Sequence, residues 1–140
     1  MRKRVLSVSI ATLMRPTGPA AVMVTPDGGV GMVPREQVAA AVSGSHWESL
    51  TSRHGVVFWF TGPGSESLPV NRLATQLLLA TSGWSASDVP LLRGPVLVGA
   101  RTAIGMPTAL SMAQFEVLNA WSLLPWRSRH TLRRRIERAG

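Results

Sequence analysis

The stretch "VVFWFTGPGSESLPVNRLATQLLLAT", residues 56–81, decides the fold. It begins with five consecutive apolar residues, 56–60, and the absence of polar alternation is typical of a strand that is covered on both faces. The glycine- and serine-rich residues 62–69 then indicate a loop. Asn71 is a favourable N-cap for a helix through "RLATQLLLAT". A central strand followed by a capped helix is therefore the expected centre of the domain.

The residues before this stretch predict two hairpins and a helix. "AAVMVT" and "VGMV" are short apolar strands joined by "PDGG", residues 26–29, and the glycines suit a tight turn. Pro34 suits the first turn of an alanine-rich helix through "REQVAAAVSG". The second hairpin pairs "HWESLTS" with the central strand across residues 53–55.

The residues after it predict a further strand and a helix. "PVLVGA" is the strand, "RTAIGMPTA" a variable loop, and Ser111 with Gln114 makes a capping-box pattern for a helix through "MAQFEVLNAW". The order is ββαββαβα, which indicates a single small α+β domain with a mostly antiparallel or mixed sheet, packed helices and a basic C-terminal helix. We place this domain at residues 20–124, between an N-terminal extension, 1–19, and an arginine-rich segment, 125–140.

The positive charge is concentrated at the two ends of the chain. The net charge is +8, yet the interval 5–126 holds six arginines and six carboxylates. Residues 2–4 are all basic, and residues 127–138 carry six arginines against Glu137. A neutral body with basic ends is suited to phosphates on nucleic acid or on a membrane surface.

Several classes of function are disfavoured by what the sequence lacks. It has no cysteine, which excludes disulfides, thiolate metal sites and a cysteine nucleophile and is compatible with a cytoplasmic protein. The "HWE" at residues 46–48 is similar to the first half of a zinc deaminase motif, but the cysteine-containing second half is absent. The "GPGSES" loop lacks the lysine of a phosphate-binding loop. The N-terminal apolar run, residues 5–14, is interrupted by polar residues and is too short to span a membrane. We expect no enzyme, no metal and no cofactor.

The middle of the chain resembles a known domain family. Its motifs are Pro26-Asp27-Gly28, then "LPVNRLAT" at residues 68–75 and "GPVLVG" at residues 94–99. In this order they resemble a small family of unknown function from actinobacterial chromosomes, plasmids and phages. The resemblance covers residues 20–121 and implies an α+β domain associated with mobile elements, with no assigned activity. The arginine-rich segment lies outside it.

The arginine-rich segment ends with "RSRHTLRRRIERAG", residues 127–140, and this part is amphipathic if it is helical. Leu132 and Ile136 then lie one turn apart on an apolar edge. Another side is lined by Arg127, Arg134 and Arg138 and flanked by Arg133 and Arg135. We predict that nucleic acid is bound by the arginines of this segment, Arg127, Arg129, Arg133, Arg134, Arg135 and Arg138. The apolar edge of this segment is small, so we expect binding to a membrane less than binding to nucleic acid. A basic end that is only solvated is the alternative to both. We also expect that the segment can be removed with little effect on the melting of the body.

The start of the central helix offers a second candidate site. Asn71, Arg72 and Thr75 can form an anion site if Arg72 lies beside free backbone N–H groups. The alternative is that Asn71 only caps the helix and Arg72 is solvated.

Two functions follow from these features. The first is a non-enzymatic accessory protein of a mobile element that binds nucleic acid with weak sequence preference through its basic C-terminal segment. The alternative is a protein-interaction module that acts on a host factor through the apolar strand or an exposed tryptophan, since the chain has five tryptophans. The oligomeric state and the choice between DNA and RNA are left open.

Overall fold

The computed structural model describes residues 18–43, 46–62 and 65–139. Within these residues, six strands form one sheet in which every pairing is antiparallel. The sheet order is β2-β1-β5-β4-β3, with β6 paired to β5. The strands are β1 Ala20–Val24, β2 Val30–Pro34, β3 Trp47–Thr51, β4 Val57–Thr61, β5 Val96–Arg101 and β6 Pro107–Thr108. The predicted α+β class and the two predicted hairpins are confirmed.

Four α-helices accompany the sheet in the described part of the chain. They are α1 Arg35–Ala41, α2 Arg72–Thr81, α3 Met112–Leu118 and α4 Trp126–Ala139. A 3-10 helix, Asn119–Leu123, connects α3 to α4. The predicted capping box opens α3, because the Ser111 hydroxyl accepts from the Gln114 N–H at 3.2 Å while the Gln114 side chain accepts from the Ser111 N–H at 2.9 Å.

The first hairpin turns where the sequence predicts. Gly28 has a φ of 91°, a left-handed conformation that favours glycine. The Asp27 carboxylate accepts hydrogen bonds from the Thr25 hydroxyl and from the Gly29 N–H. These bonds hold the pKa of Asp27 below its usual value. The turn therefore fixes the β1–β2 register, in which Val24 lies opposite Val30.

Strand β6 lies where a variable loop was expected. The chain reverses at Gly105, whose N–H donates to the Thr102 carbonyl at 2.9 Å, and Thr108 then pairs with Ala100. A Cβ on Gly99 would lie 2.7 Å from the Thr108 carbonyl oxygen, so the strands meet closely because Gly99 has no side chain. Two residues are too few to show a strand periodicity, which is why the sequence pattern did not indicate β6.

One face of the sheet carries the main core. Val22, Val98 and Phe58 lie side by side on β1, β5 and β4 and are fully buried or nearly so. Helices α2, α3 and α4 cover this face with the buried residues Leu77, Leu78, Phe115, Leu118 and Leu132. The basic C-terminal helix is thus one of the helices packed on the main core.

The opposite face is covered by a smaller layer. Leu97 and Trp59 lie opposite each other on β5 and β4, and they pack in one cluster with Val38 and Val42 from the α1 region. Strand β4 therefore contributes Phe58 to one core and Val57 and Trp59 to the other. This explains its uninterrupted apolar sequence and confirms the prediction of a central strand covered on both faces.

Candidate functional site

Helix α4 begins directly after Pro125 and is seated on the domain by its apolar edge. The Pro125 carbonyl accepts the Arg129 N–H at 3.1 Å, which closes the first turn. Leu132 is fully buried, and Ile136, one turn later, packs against the same core. The predicted helix and its apolar edge are confirmed. These two contacts fix which side of α4 faces away from the protein.

Arg135 is a second anchor for the helix. Its Nη1 donates to the carbonyl oxygen of Ala86 at 2.7 Å, and its side chain is half-buried. Ala86 lies in the connection between α2 and β5, 49 positions earlier in the chain. Arg135 was predicted to bind nucleic acid together with the other arginines, but its guanidinium already holds α4 to this connection.

The other five predicted arginines are exposed on α4: Arg127, Arg129, Arg133, Arg134 and Arg138. Only Arg133 has a side-chain neighbour among the described residues, with its Nη2 3.4 Å from His130 Nδ1. Glu137 is the one acidic residue of the helix. The outer side of α4 is therefore a strongly positive surface whose charges are available to a ligand.

Three of these arginines form what we call the arginine stripe: Arg127, Arg134 and Arg138. Their spacing of seven and four residues places them within about 40° of one another around the helix axis. Along the axis they are about 10.5 Å and 6 Å apart, at 1.5 Å per residue. The stripe is therefore a line of guanidinium groups that point to the same side.

Beside the stripe lies a row that we call the tryptophan row: Trp126, His130 and Arg133. Trp126 is 66% exposed. The Trp126 and His130 ring centroids are 6.1 Å apart, with the ring planes tilted by 58°. Leu123, just before α4, is 80% exposed. An aromatic ring beside the positive stripe and an apolar side chain just before α4 are thus exposed to solvent.

The predicted anion site at Asn71, Arg72 and Thr75 is not assembled as expected. Asn71 and Thr75 are fully buried. The Asn71 Oδ1 accepts the Ala74 N–H at 3.1 Å, which confirms its role as the N-cap of α2. The Thr75 hydroxyl donates to the Asn71 carbonyl at 2.8 Å and accepts the Leu92 N–H at 3.0 Å. Both residues use their polar groups inside the protein, so of this trio only Arg72 is exposed to an anion.

The apolar strand that was considered as a docking surface is not exposed either. Residues 56–59 are all buried, and β4 is hydrogen-bonded to β3 on one side and to β5 on the other. Its backbone therefore has no free edge for a partner strand. Of the tryptophans, Trp126 and Trp84 are the exposed ones, at 66% and 38%.

One contact on the smaller layer of the domain was not predicted from the sequence. The Arg101 guanidinium lies over the Trp59 ring, 4.8 Å from its centroid, and its Nη2 contacts the Ser49 hydroxyl. The Trp59 Nε1 is buried without a hydrogen-bond partner. These residues are joined by strand register across β3, β4 and β5, which a single sequence does not reveal.

Within the described ranges, no three histidine, aspartate or glutamate side chains are grouped closely enough to hold a metal ion. None of the described helices is both long and apolar enough to cross a membrane. Models of known protein families, curated proteins and solved structures were each compared with the chain, and none gives a significant match.

Proposed function

We propose that this protein binds nucleic acid through the outer side of α4, as a non-enzymatic accessory protein. The observation that carries the proposal is an anchored helix with five exposed arginines and a single acidic residue. Arginine suits this task because its planar guanidinium binds phosphate oxygens in pairs and keeps its charge at every physiological pH. Anchoring by Leu132 and Arg135 lowers the ordering cost of binding, because the helix is already formed.

Binding would depend little on base sequence. The outer side of α4 carries no asparagine or glutamine, the residues that pair with adenine edges. Its arginines are suited above all to the phosphate backbone, which is the same for every sequence. An association with a mobile element and a cytoplasmic location complete the proposal. They rest on the family resemblance of residues 20–121 and on the absence of cysteine.

The test compares two triple variants that remove the same charge. In the first, the arginine stripe is replaced by glutamine: R127Q, R134Q and R138Q. In the matched control, three exposed arginines outside α4 are replaced: R35Q, R53Q and R72Q. Glutamine is a good helix former, so neither set should disturb the fold.

Fluorescence anisotropy with a labelled oligonucleotide gives the affinity at several salt concentrations. If the five exposed arginines all meet phosphates, the slope of log affinity against log salt is about −4.5 on duplex DNA and about −3.5 on a single strand. The stripe variant should lower the magnitude of the slope by about 2 to 3, and the control should keep the wild-type slope. The proposal is wrong if the wild type shows no binding at low salt, or if both variants weaken binding equally.

The second candidate is a protein-interaction module. One observation favours it: Leu123 and Trp126, three positions apart in the chain, both expose apolar side chains. A host protein that is retained in stoichiometric amounts after nuclease treatment and high salt, and is lost with L123A, would support this function instead. Recovery of nucleic acid alone would count against it.

A further inference from the structure

Trp126 is a large aromatic residue that is not part of the buried core. It is the first residue of α4, and two thirds of its surface is exposed, although tryptophan is among the residues that contribute most to cores. The apolar edge of α4 that holds the helix on the domain is formed by other residues, Leu132 and Ile136. Trp126 is therefore not among the side chains that pack α4 on the main core, and most of its surface is free to contact a ligand.

The neighbouring ring on the helix is not stacked in parallel on this indole. Its neighbour on the helix, His130, is tilted by 58° with the centroids 6.1 Å apart, so the two rings are not stacked face to face. The tryptophan row lies about a quarter of a turn from the arginine stripe, because residues 126, 130 and 133 share one side of the helix and residues 127, 134 and 138 the next. A ligand that joins a flat ring to a phosphate can contact both.

We propose that the α4 surface is specific for single-stranded nucleic acid, with Trp126 as the stacking platform for an unpaired base and the arginine stripe as the contact for its phosphates. This inference rests on the proposed function and names its substrate class. In a duplex the base faces are covered by their neighbours, and an indole reaches them only by unstacking a step. In a single strand the faces are free, and stacking on an aromatic side chain adds affinity without selecting the base.

The same arrangement disfavours a membrane as the ligand. An amphipathic helix binds a bilayer by burying its apolar edge in the headgroup region. On α4 that edge is already packed into the protein core, since Leu132 is fully buried and Arg135 ties the helix to Ala86. What remains outside is mainly arginine, together with Glu137, His130 and one indole. Basic side chains beside an aromatic ring are the combination found where proteins bind unpaired bases.

The experiment measures the affinity of the full chain for a twelve-nucleotide thymidine oligomer and for the matching duplex at the same salt concentration. We expect the single strand to bind about tenfold more tightly than the duplex. W126A and W126L should both weaken single-strand binding about tenfold or more and leave duplex binding within about twofold. W126F keeps an aromatic ring and should bind within about threefold of the wild type. L123A, the matched control, removes an apolar side chain that is more exposed than Trp126, and it should bind like the wild type.

Each outcome separates this inference from the proposed function. If the wild type binds neither oligonucleotide, the proposed function itself is wrong. If the stripe variant loses binding while W126A and W126L bind the single strand like the wild type, the proposed function stands and the stacking inference is overturned. Equal loss on single strand and duplex would also overturn it. If W126A melts at a lower temperature than the wild type, its loss of binding could reflect instability. W126L keeps a large apolar side chain but has no ring, so its single-strand affinity then tests the stacking inference.

Discussion

At the scale of single residues, Asn71 connects three segments with one side chain. Its Oδ1 accepts the Ala74 N–H at 3.1 Å and so caps α2, while its Nδ2 donates to the carbonyls of Val24 at 2.9 Å and Gly94 at 2.8 Å. These three hydrogen bonds require a short side chain with one acceptor and two donor hydrogens in a planar group. The carboxamide of asparagine has this combination. The Asn71 side chain therefore serves the fold.

Replacing Asn71 should destabilise the protein strongly. We expect N71A to lower the free energy of unfolding by about 2–4 kcal/mol, from the lost cap and from two buried carbonyls left without their partner. N71D should be at least as destabilising at neutral pH, since a carboxylate would face two carbonyl oxygens. R72A, at an exposed neighbour, should cost no more than about 0.5 kcal/mol. Urea unfolding measures all three, and an N71A cost equal to that of R72A would contradict this role.

At the scale of elements, the sequence predicted the helices and strands that are marked by a pattern of neighbouring residues. The first hairpin follows from its glycine turn, α2 from the Asn71 cap, α3 from the Ser111 capping box, and β4 from its apolar run. What the sequence did not show depends on residues far apart in the chain. Helical spacing places Arg135 beside the apolar edge of α4, but its partner Ala86 lies 49 positions earlier and is met only because α4 folds back onto the domain.

Helix α4 is the element on which the structure changes our expectation most. The arginine-rich segment was expected to be removable without affecting the body, but Leu132 is fully buried in the main core. Deleting the segment would expose the surface that Leu132 and Ile136 cover. A truncated protein that no longer binds nucleic acid would thus be ambiguous, which is why the proposed tests use point substitutions.

A single substitution measures how firmly α4 is seated. L132A should lower the free energy of unfolding by about 3 kcal/mol, because it removes a buried leucine side chain and leaves a cavity. R134A, two positions later on the exposed side, should change it by no more than about 0.5 kcal/mol. Thermal and urea unfolding of the two variants give this comparison. If L132A is as stable as R134A, α4 is a separable tail after all.

At the scale of the whole molecule, the two layers on the sheet are unequal. Helices α2, α3 and α4 cover one face with the larger core, whereas α1 brings only Val38 as a buried helical residue to the other. The proposed interface lies on the helix layer with the larger core. A ligand held by α4 therefore acts on the part of the fold that we expect to open last.

Native-state hydrogen exchange should reveal this inequality. Helix α1 has seven residues and little buried surface, and such short helices are marginal without tertiary support. We expect the amides of residues 39–41 to exchange through local openings that depend weakly on denaturant, and those of residues 77–79 only through global unfolding. Amides near Leu132 should exchange with the second group, because α4 shares the core of α2. If they exchange with α1 instead, α4 opens independently of the main core, and the rigid surface on which both binding proposals depend does not exist.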